Sequence, residues 1–309
     1  MATANPPREK ENRRDNFELE LKSKTFSEVN KLGELAEKMR GIDYTSKKQP
    51  LASICKERIG DGQLGTPLGI TVDNQMGNIY LADQCNHCVK VFDSTAKYLF
   101  RFGDSNDDGN MSYPKCLAIC RNRVLISQDN HCIMNYQLDG KFVSKIGKLG
   151  NGELEFNYPW GITIDESNGD VYICDYSNNR IQILSENLHF KSKFARDTKP
   201  IDIKLNKDKI FILDASNPCL HIFDKDLILQ KNIISRGEGQ QVIFPSFFFL
   251  DNSGNILITD YGSDSILIFN SEYECIHKIS ISYPTGITVD YNGRIIVASC
   301  ASMSCLQIF

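Results

Sequence analysis

One pattern recurs six times along this chain, and its period limits the folds available. Each copy opens on a proline and a β-rich run: PLGITVD from Pro67, PKCLAIC from Pro114, PWGITID from Pro159, PIDIKL from Pro200, PSFFFLD from Pro245 and PTGITVD from Pro284. Successive openings stand 47, 45, 41, 45 and 39 residues apart. A period of this size marks a repeat architecture in which no single unit buries its own apolar face.

Three further β-rich runs follow most openings. Turns rich in Asn, Gly and Asp (NQMGN at 74–78, ESNGD at 166–170, NSGN at 252–255, YNGR at 291–294) lead into IYLAD, VYICD, ILITD and IIVAS. Such residues accept positive φ and signal hairpins. Short polar loops then lead to CVKVF, CIMNY, RIQIL, CLHIF, SILIF and CLQIF, and a fourth run such as KYLFRFG or KFVSKIG completes five of the units. Four strands per period predict an all-β, six-bladed β-propeller. The sixth unit reaches Phe309 after its third run, and LASICKERIG, residues 51–60, resembles KFVSKIG. It is expected to supply the missing strand, closing the ring and covering a sheet edge.

The pattern P-x-G-I-x-V-D, then G-N-I-Y-x-A-D, then N-x-x-V/I-x-V-F, resembles the NHL repeat, best over 67–103 and 159–194 and recognisably over 51–309. The wider resemblance is to NHL proteins of the tripartite-motif type. Cys85-Asn86-His87-Cys88 has no second pair at a zinc-finger distance, so RING and B-box modules are not expected. The resemblance implies a propeller that docks protein partners, as the recognition part of a ubiquitin-ligase-like system, or in some members single-stranded RNA.

Ahead of the propeller, residues 1–15 are expected to be disordered and 16–40 to form a short amphipathic α-helix, with 41–50 as a linker. Val29, Leu32, Leu35, Ala36 and Met39 make its apolar stripe, a remnant of a coiled coil that could form a homodimer. No run of 18 apolar residues and no apolar leader is present, so a cytoplasmic protein is expected rather than a membrane one. Most of the 11 cysteines are then expected to be free thiols, with Cys88, Cys132, Cys219 and Cys305 buried at the entry to the third strand. Residues 1–59 carry +3, whereas the remainder carries −7, which gives no general attraction for phosphate backbones.

Asp83, Asp175, Asp214 and Asp260 recur at the end of the second strand. Repetition in successive blades points to capping of backbone N–H groups, since catalysis needs unlike groups converging on one spot. None of the five histidines lies on an opening strand and no nucleophile motif is present, so neither enzyme, metal nor cofactor is expected. A metal-dependent lyase or hydrolase is the least favoured alternative.

Binding is expected on the face shared by the loops after the second strand and the loops between blades. There blades 1 to 3 offer Asn86, His87, Tyr113, Asn130, His131, Tyr158, Trp160, Tyr176, Asn178, Asn179 and Arg180. Aromatic, amide and guanidinium groups suit a peptide hot spot, or the stacking and edge reading of RNA bases. A protein or peptide partner is the leading expectation and sequence-selective single-stranded RNA the second.

Overall fold

The computed structural model describes residues 42–45, 50–55, 63–104, 108–195, 198–233, 242–301 and 305–309. The expected helix over 16–40, its homodimer and the 1–15 segment lie outside the described residues.

Among the described residues, twenty-four strands form six four-stranded antiparallel sheets. The chain enters through β1 (Ala52–Cys55). Blade 1 is β2 (Pro67–Asp73), β3 (Asn78–Asp83), β4 (Cys88–Phe92) and β5 (Tyr98–Phe102). Blade 2 is β6 (Pro114–Cys120), β7 (Arg123–Gln128), β8 (Cys132–Gln137) and β9 (Phe142–Ile146). Blade 3 is β10 (Pro159–Ile164), β11 (Val171–Asp175), β12 (Arg180–Leu184) and β13 (Phe190–Ala195). Blade 4 is β14 (Pro200–Asn206), β15 (Lys209–Asp214), β16 (Cys219–Asp224) and β17 (Leu229–Ile233). Blade 5 is β18 (Pro245–Leu250), β19 (Ile256–Asp260), β20 (Ser265–Phe269) and β21 (Cys275–Ser280). Blade 6 is β22 (Pro284–Val289), β23 (Ile295–Ser299) and β24 (Cys305–Ile308), and β1 pairs antiparallel with β24, Ala52 opposite Ile308. The opening strands β2, β6, β10, β14, β18 and β22 each touch the next, and β22 touches β2, which closes the ring.

Burial follows position in the blade. Second and third strands such as β3, β4, β19 and β20 are buried at every residue. They are covered by sheets on both faces and therefore read as unbroken apolar runs. The fourth strands are outermost, and in β9 and β21 exposed residues alternate with half-buried or buried ones. That alternation is the ordinary signature of a half-buried strand.

Every opening strand carries a register shift just after its proline, as between Pro67 and Ile70 or Pro159 and Ile162. The bulge brings neighbouring opening strands together. A Cβ at Gly69 would lie 2.5 Å from the Lys115 carbonyl oxygen, and one at Gly161 would lie 2.6 Å from the Asp202 Cα. This close approach is why the repeat reads P-x-G. Hydroxyls stitch the seams. Thr285 Oγ1 donates to the Pro67 carbonyl at 2.8 Å, and Thr259 Oγ1 donates to the Thr285 carbonyl at 2.6 Å.

Cys88, Cys132 and Cys219 are buried free thiols. Cys305 is a correction to the expectation: it is disulfide-bonded, and it stands opposite Cys55 in the β1–β24 register.

Candidate functional site on the loop face

The loops of one face are held by the residue that ends each second strand. Asp83 accepts from the Gly65 and Thr66 amides at 2.9 and 3.2 Å, and Asp175 accepts from the Asn157 amide at 2.7 Å. Asp214 takes the Lys199 amide at 3.0 Å, and Asp260 takes the Ile243 and Phe244 amides at 3.0 and 2.8 Å. In blade 2 Gln128 does the same, its Oε1 accepting from the Ser112 amide at 2.8 Å. Each carboxylate is spent on the loop that leads into its own blade, as the repetition implies.

These anchors also consume part of the expected site. The Asn86 amide donates to Asp83 Oδ2 at 2.8 Å, and Asn178 donates to Asp175 Oδ2 at 2.9 Å and to the Gly150 carbonyl at 2.8 Å. Arg180 lies back from the surface. It is only 6% exposed and donates to Asp175 Oδ2 at 2.7 Å and to the Asn151, Gly152 and Glu155 carbonyls at 2.6, 2.8 and 2.8 Å. Four of the five guanidinium N–H donors face internal acceptors, so the group holds the blade 3 entry loop from beneath the surface.

The histidines and tyrosines form a repeated device. His87 Nδ1 accepts from the Tyr113 amide at 3.1 Å, with the rings edge-on and 4.3 Å apart. His131 Nδ1 accepts from the Tyr158 amide at 3.1 Å, with the rings edge-on at 4.8 Å. Both tyrosines precede a proline and sit at positive φ, 51° and 53°, and their histidines also have positive φ, 52° and 55°. Such a backbone costs a side-chain-bearing residue about 1 kcal/mol or more and persists where the surroundings impose it. The result is a pair of raised rings, 44% and 46% exposed.

Asn130 and Asn179 are exposed at the loop tips. Trp160 and Tyr176 pack together with ring centroids 5.5 Å apart. Lys115 Nζ lies 3.8 Å over the Trp160 ring and 2.9 Å from Asp129, and Lys199 Nζ lies 5.8 Å over Tyr176. The Trp160 indole nitrogen is buried and meets no acceptor among the described residues.

Blade 5 and the blade 5–6 seam carry the part the sequence reading missed. Tyr283 precedes Pro284, sits at φ 49° and is 43% exposed, and Asp264 Oδ1 accepts from its amide at 2.8 Å. It is a third copy of the device with a carboxylate in place of imidazole. Tyr261 stands 5.1 Å from its ring, and Phe244 is exposed nearby at the entry to blade 5. The Tyr-Pro dipeptide shared with Tyr113 and Tyr158 was the available signal.

Chemically this face offers rings, amides and carbonyl-bound turns. Burial pushes the Cys88 thiol up to about 12 and the Cys116 and Cys300 thiols up to about 11, so all three stay protonated at neutral pH. Among the described residues no three His, Cys, Asp or Glu side chains are grouped to hold a metal.

An NHL repeat model matches residues 64–92 and 156–184. The protein brain tumor of Drosophila melanogaster is 28% identical over 157 residues, 48% of this chain and 14% of that protein. A probable peptidyl-α-hydroxyglycine α-amidating lyase of Caenorhabditis elegans is 25% identical over 167 residues, 51% of this chain and 47% of the enzyme. The chain thus spans half or less of the length of these two relatives. The E3 ubiquitin-protein ligase NHLRC1 of Mus musculus is 21% identical over 282 residues, 81% of this chain and 67% of the ligase. Among solved structures, streptogramin B lyase superposes with a TM-score of 0.62 at 15% identity, covering 84% of this chain and 96% of that one. A gluconolactonase from Xanthomonas campestris superposes at 0.64 and 12%, covering 80% and 87%. The structures share the fold alone. The lyase relative and these enzyme neighbours overturn the expectation that the chain is no enzyme, because its relatives and its fold both include enzymes.

Proposed function

We propose that the loop face of this six-bladed propeller, which carries NHL repeats, is a recognition surface for a protein or peptide partner. The observation that carries this reading is the threefold tyrosine device. Tyr113, Tyr158 and Tyr283 are each lifted into left-handed backbone by a side-chain acceptor on the preceding blade. Preorganised tyrosine rings lose little entropy on binding and are frequent interface anchors. The finer role proposed is target recognition within a ubiquitin-ligase-like assembly, consistent with the ligase relative.

Single-stranded RNA is the second reading, favoured by the same rings, on which bases would stack. Two facts weigh against it: the propeller portion is acidic, and Arg180 is withdrawn from the face. The test is affinity capture with the full chain, with and without RNase, comparing wild type with a Tyr113→Ala, Tyr158→Ala, Tyr283→Ala triple variant. A partner that survives RNase and is lost with the triple variant supports the protein reading. Capture abolished by RNase, with RNA binding that falls steeply with salt, supports the RNA reading. A triple variant that keeps every partner rejects the face.

A further inference from the structure

The opposite face of the propeller holds a second built feature. Tyr44 precedes the closing strand β1 and is only 2% exposed. Its ring belongs to the same apolar cluster as Ala118, Ile164, Phe247 and Val289, which come from the opening strands of blades 2, 3, 5 and 6. Its hydroxyl donates to Asp251 Oδ2 at 3.2 Å, 207 residues away in sequence. Asp251 follows β18 on the turn side, and its carbonyl accepts from Asn206 Nδ2 at the end of β14 at 3.2 Å. The Asp251 carboxylate is set by its own turn: the Ser253 and Asn255 amides donate to Oδ1 at 2.8 Å each, and Asn255 Nδ2 donates to Oδ2 at 2.8 Å. Two residues before the tyrosine, Ile42 packs on Gly293, where a Cβ would come within 3.1 Å of it.

We propose that the turn-side end of the opening-strand ring, at blades 5 and 6, is a socket for a tyrosine side chain, and that residues 42–45 of this chain are its ligand. The recognised chemistry is a phenol. Apolar walls take the ring, and an oriented carboxylate accepts the hydroxyl's hydrogen bond. Burial and the Asp251 carboxylate both push the Tyr44 hydroxyl well above its usual titration range, which keeps it a donor. This reading stands independently of what the loop face binds.

The test uses the full chain. In a Tyr44→Ala variant the socket is vacant, and a labelled nonapeptide with the sequence of residues 40–48 binds it saturably, while wild type, whose socket is filled, binds at least tenfold less. A peptide with Phe at the tyrosine position binds roughly three- to tenfold more weakly, the range of one net hydrogen bond. Equal binding to wild type and variant, or equal binding of the Tyr and Phe peptides, overturns the socket. If Tyr44→Ala does not fold, Tyr44→Phe decides. There hydrogen exchange at the 42–45 amides quickens several-fold while β18 and β22 exchange as in wild type. Unchanged exchange at 42–45 overturns the proposal.

Discussion

The Nδ1 atom of His131 lies 3.1 Å from the amide nitrogen of Tyr158 and accepts its hydrogen, fixing a tyrosine at φ 53° immediately before Pro159. The bond ties a loop of blade 2 to the entry of blade 3. It makes His131 a positioning residue for the Tyr158 ring.

His131→Ala removes that acceptor, and His131 itself sits at φ 55°. Partner binding is expected to fall about five- to tenfold, with a loss of ~1 kcal/mol in stability. His131→Asn should stay within about twofold of wild type, because asparagine accepts through its side-chain carbonyl and tolerates left-handed backbone. Titration of the captured partner against the three proteins measures this. Equal loss in both variants would assign the imidazole itself to the partner.

Arg180 is expected to matter to stability and little to recognition. Arg180→Met strands the buried Asp175 carboxylate and frees three loop carbonyls. A loss of about 3 kcal/mol in urea denaturation is expected. Arg180→Lys should recover less than half of it, since a single ammonium cannot span the fork-shaped set of acceptors.

His221 gives a pH dependence on blade 4. Its Nδ1 faces Asn232 Oδ1 at 2.7 Å and its Nε2 faces Asp214 Oδ2 at 3.4 Å, an arrangement that only imidazolium satisfies at both nitrogens. The Asp214 bond, with those of Cys219 and Asn232, outweighs burial and pushes the imidazole up to about 10. The folded chain therefore holds this proton more tightly than the unfolded chain. The stabilisation is complete below the ordinary imidazole value of about 6.5 and disappears as pH rises through about 10. The melting midpoint of His221→Gln should lie on the order of a few degrees below wild type at pH 6 and converge on it by pH 10. A gap that widens with pH would contradict the pairing.

Ring closure through β1 predicts a sharp boundary. A chain beginning at residue 42 retains Tyr44 and β1 and should melt in one cooperative transition. A chain beginning at residue 63 leaves the β24 edge without its partner and should lose that transition, aggregating through the open edge. Differential scanning calorimetry of the two, with light scattering, checks this.

A methyl group at Gly69 tests the seam. Gly69→Ala places carbon 2.5 Å from a backbone carbonyl of blade 2, which no side-chain rotation relieves. A loss of at least ~3 kcal/mol is expected. Gly254→Ala, at φ 90° but with its nearest neighbour at 3.3 Å, should cost only about 1–2 kcal/mol. Chemical denaturation of both variants gives the comparison.

The strands were legible because what marks them is local. The continuous runs of β3 and β19, the alternation of β9 and β21 and the Asp-to-Gly turns state burial and chain reversal within a few residues. The period then left one architecture that covers every sheet face. The loop face was legible as a place, and the His-Tyr pairs of blades 1 to 3 lay among its expected residues.

What only the tertiary structure decided is which side chains that face offers. Asn178, Asn179 and Arg180 are adjacent in sequence, yet Asn179 is exposed while Arg180 is buried under carbonyls of residues 151–155. Asp264 supports Tyr283 from 19 residues away, and Asp251 receives Tyr44 from 207. A strand is encoded by the order of its own neighbours. A free donor, a raised ring or a filled socket depends on groups brought in from other blades, and that pairing exists only once the ring has closed.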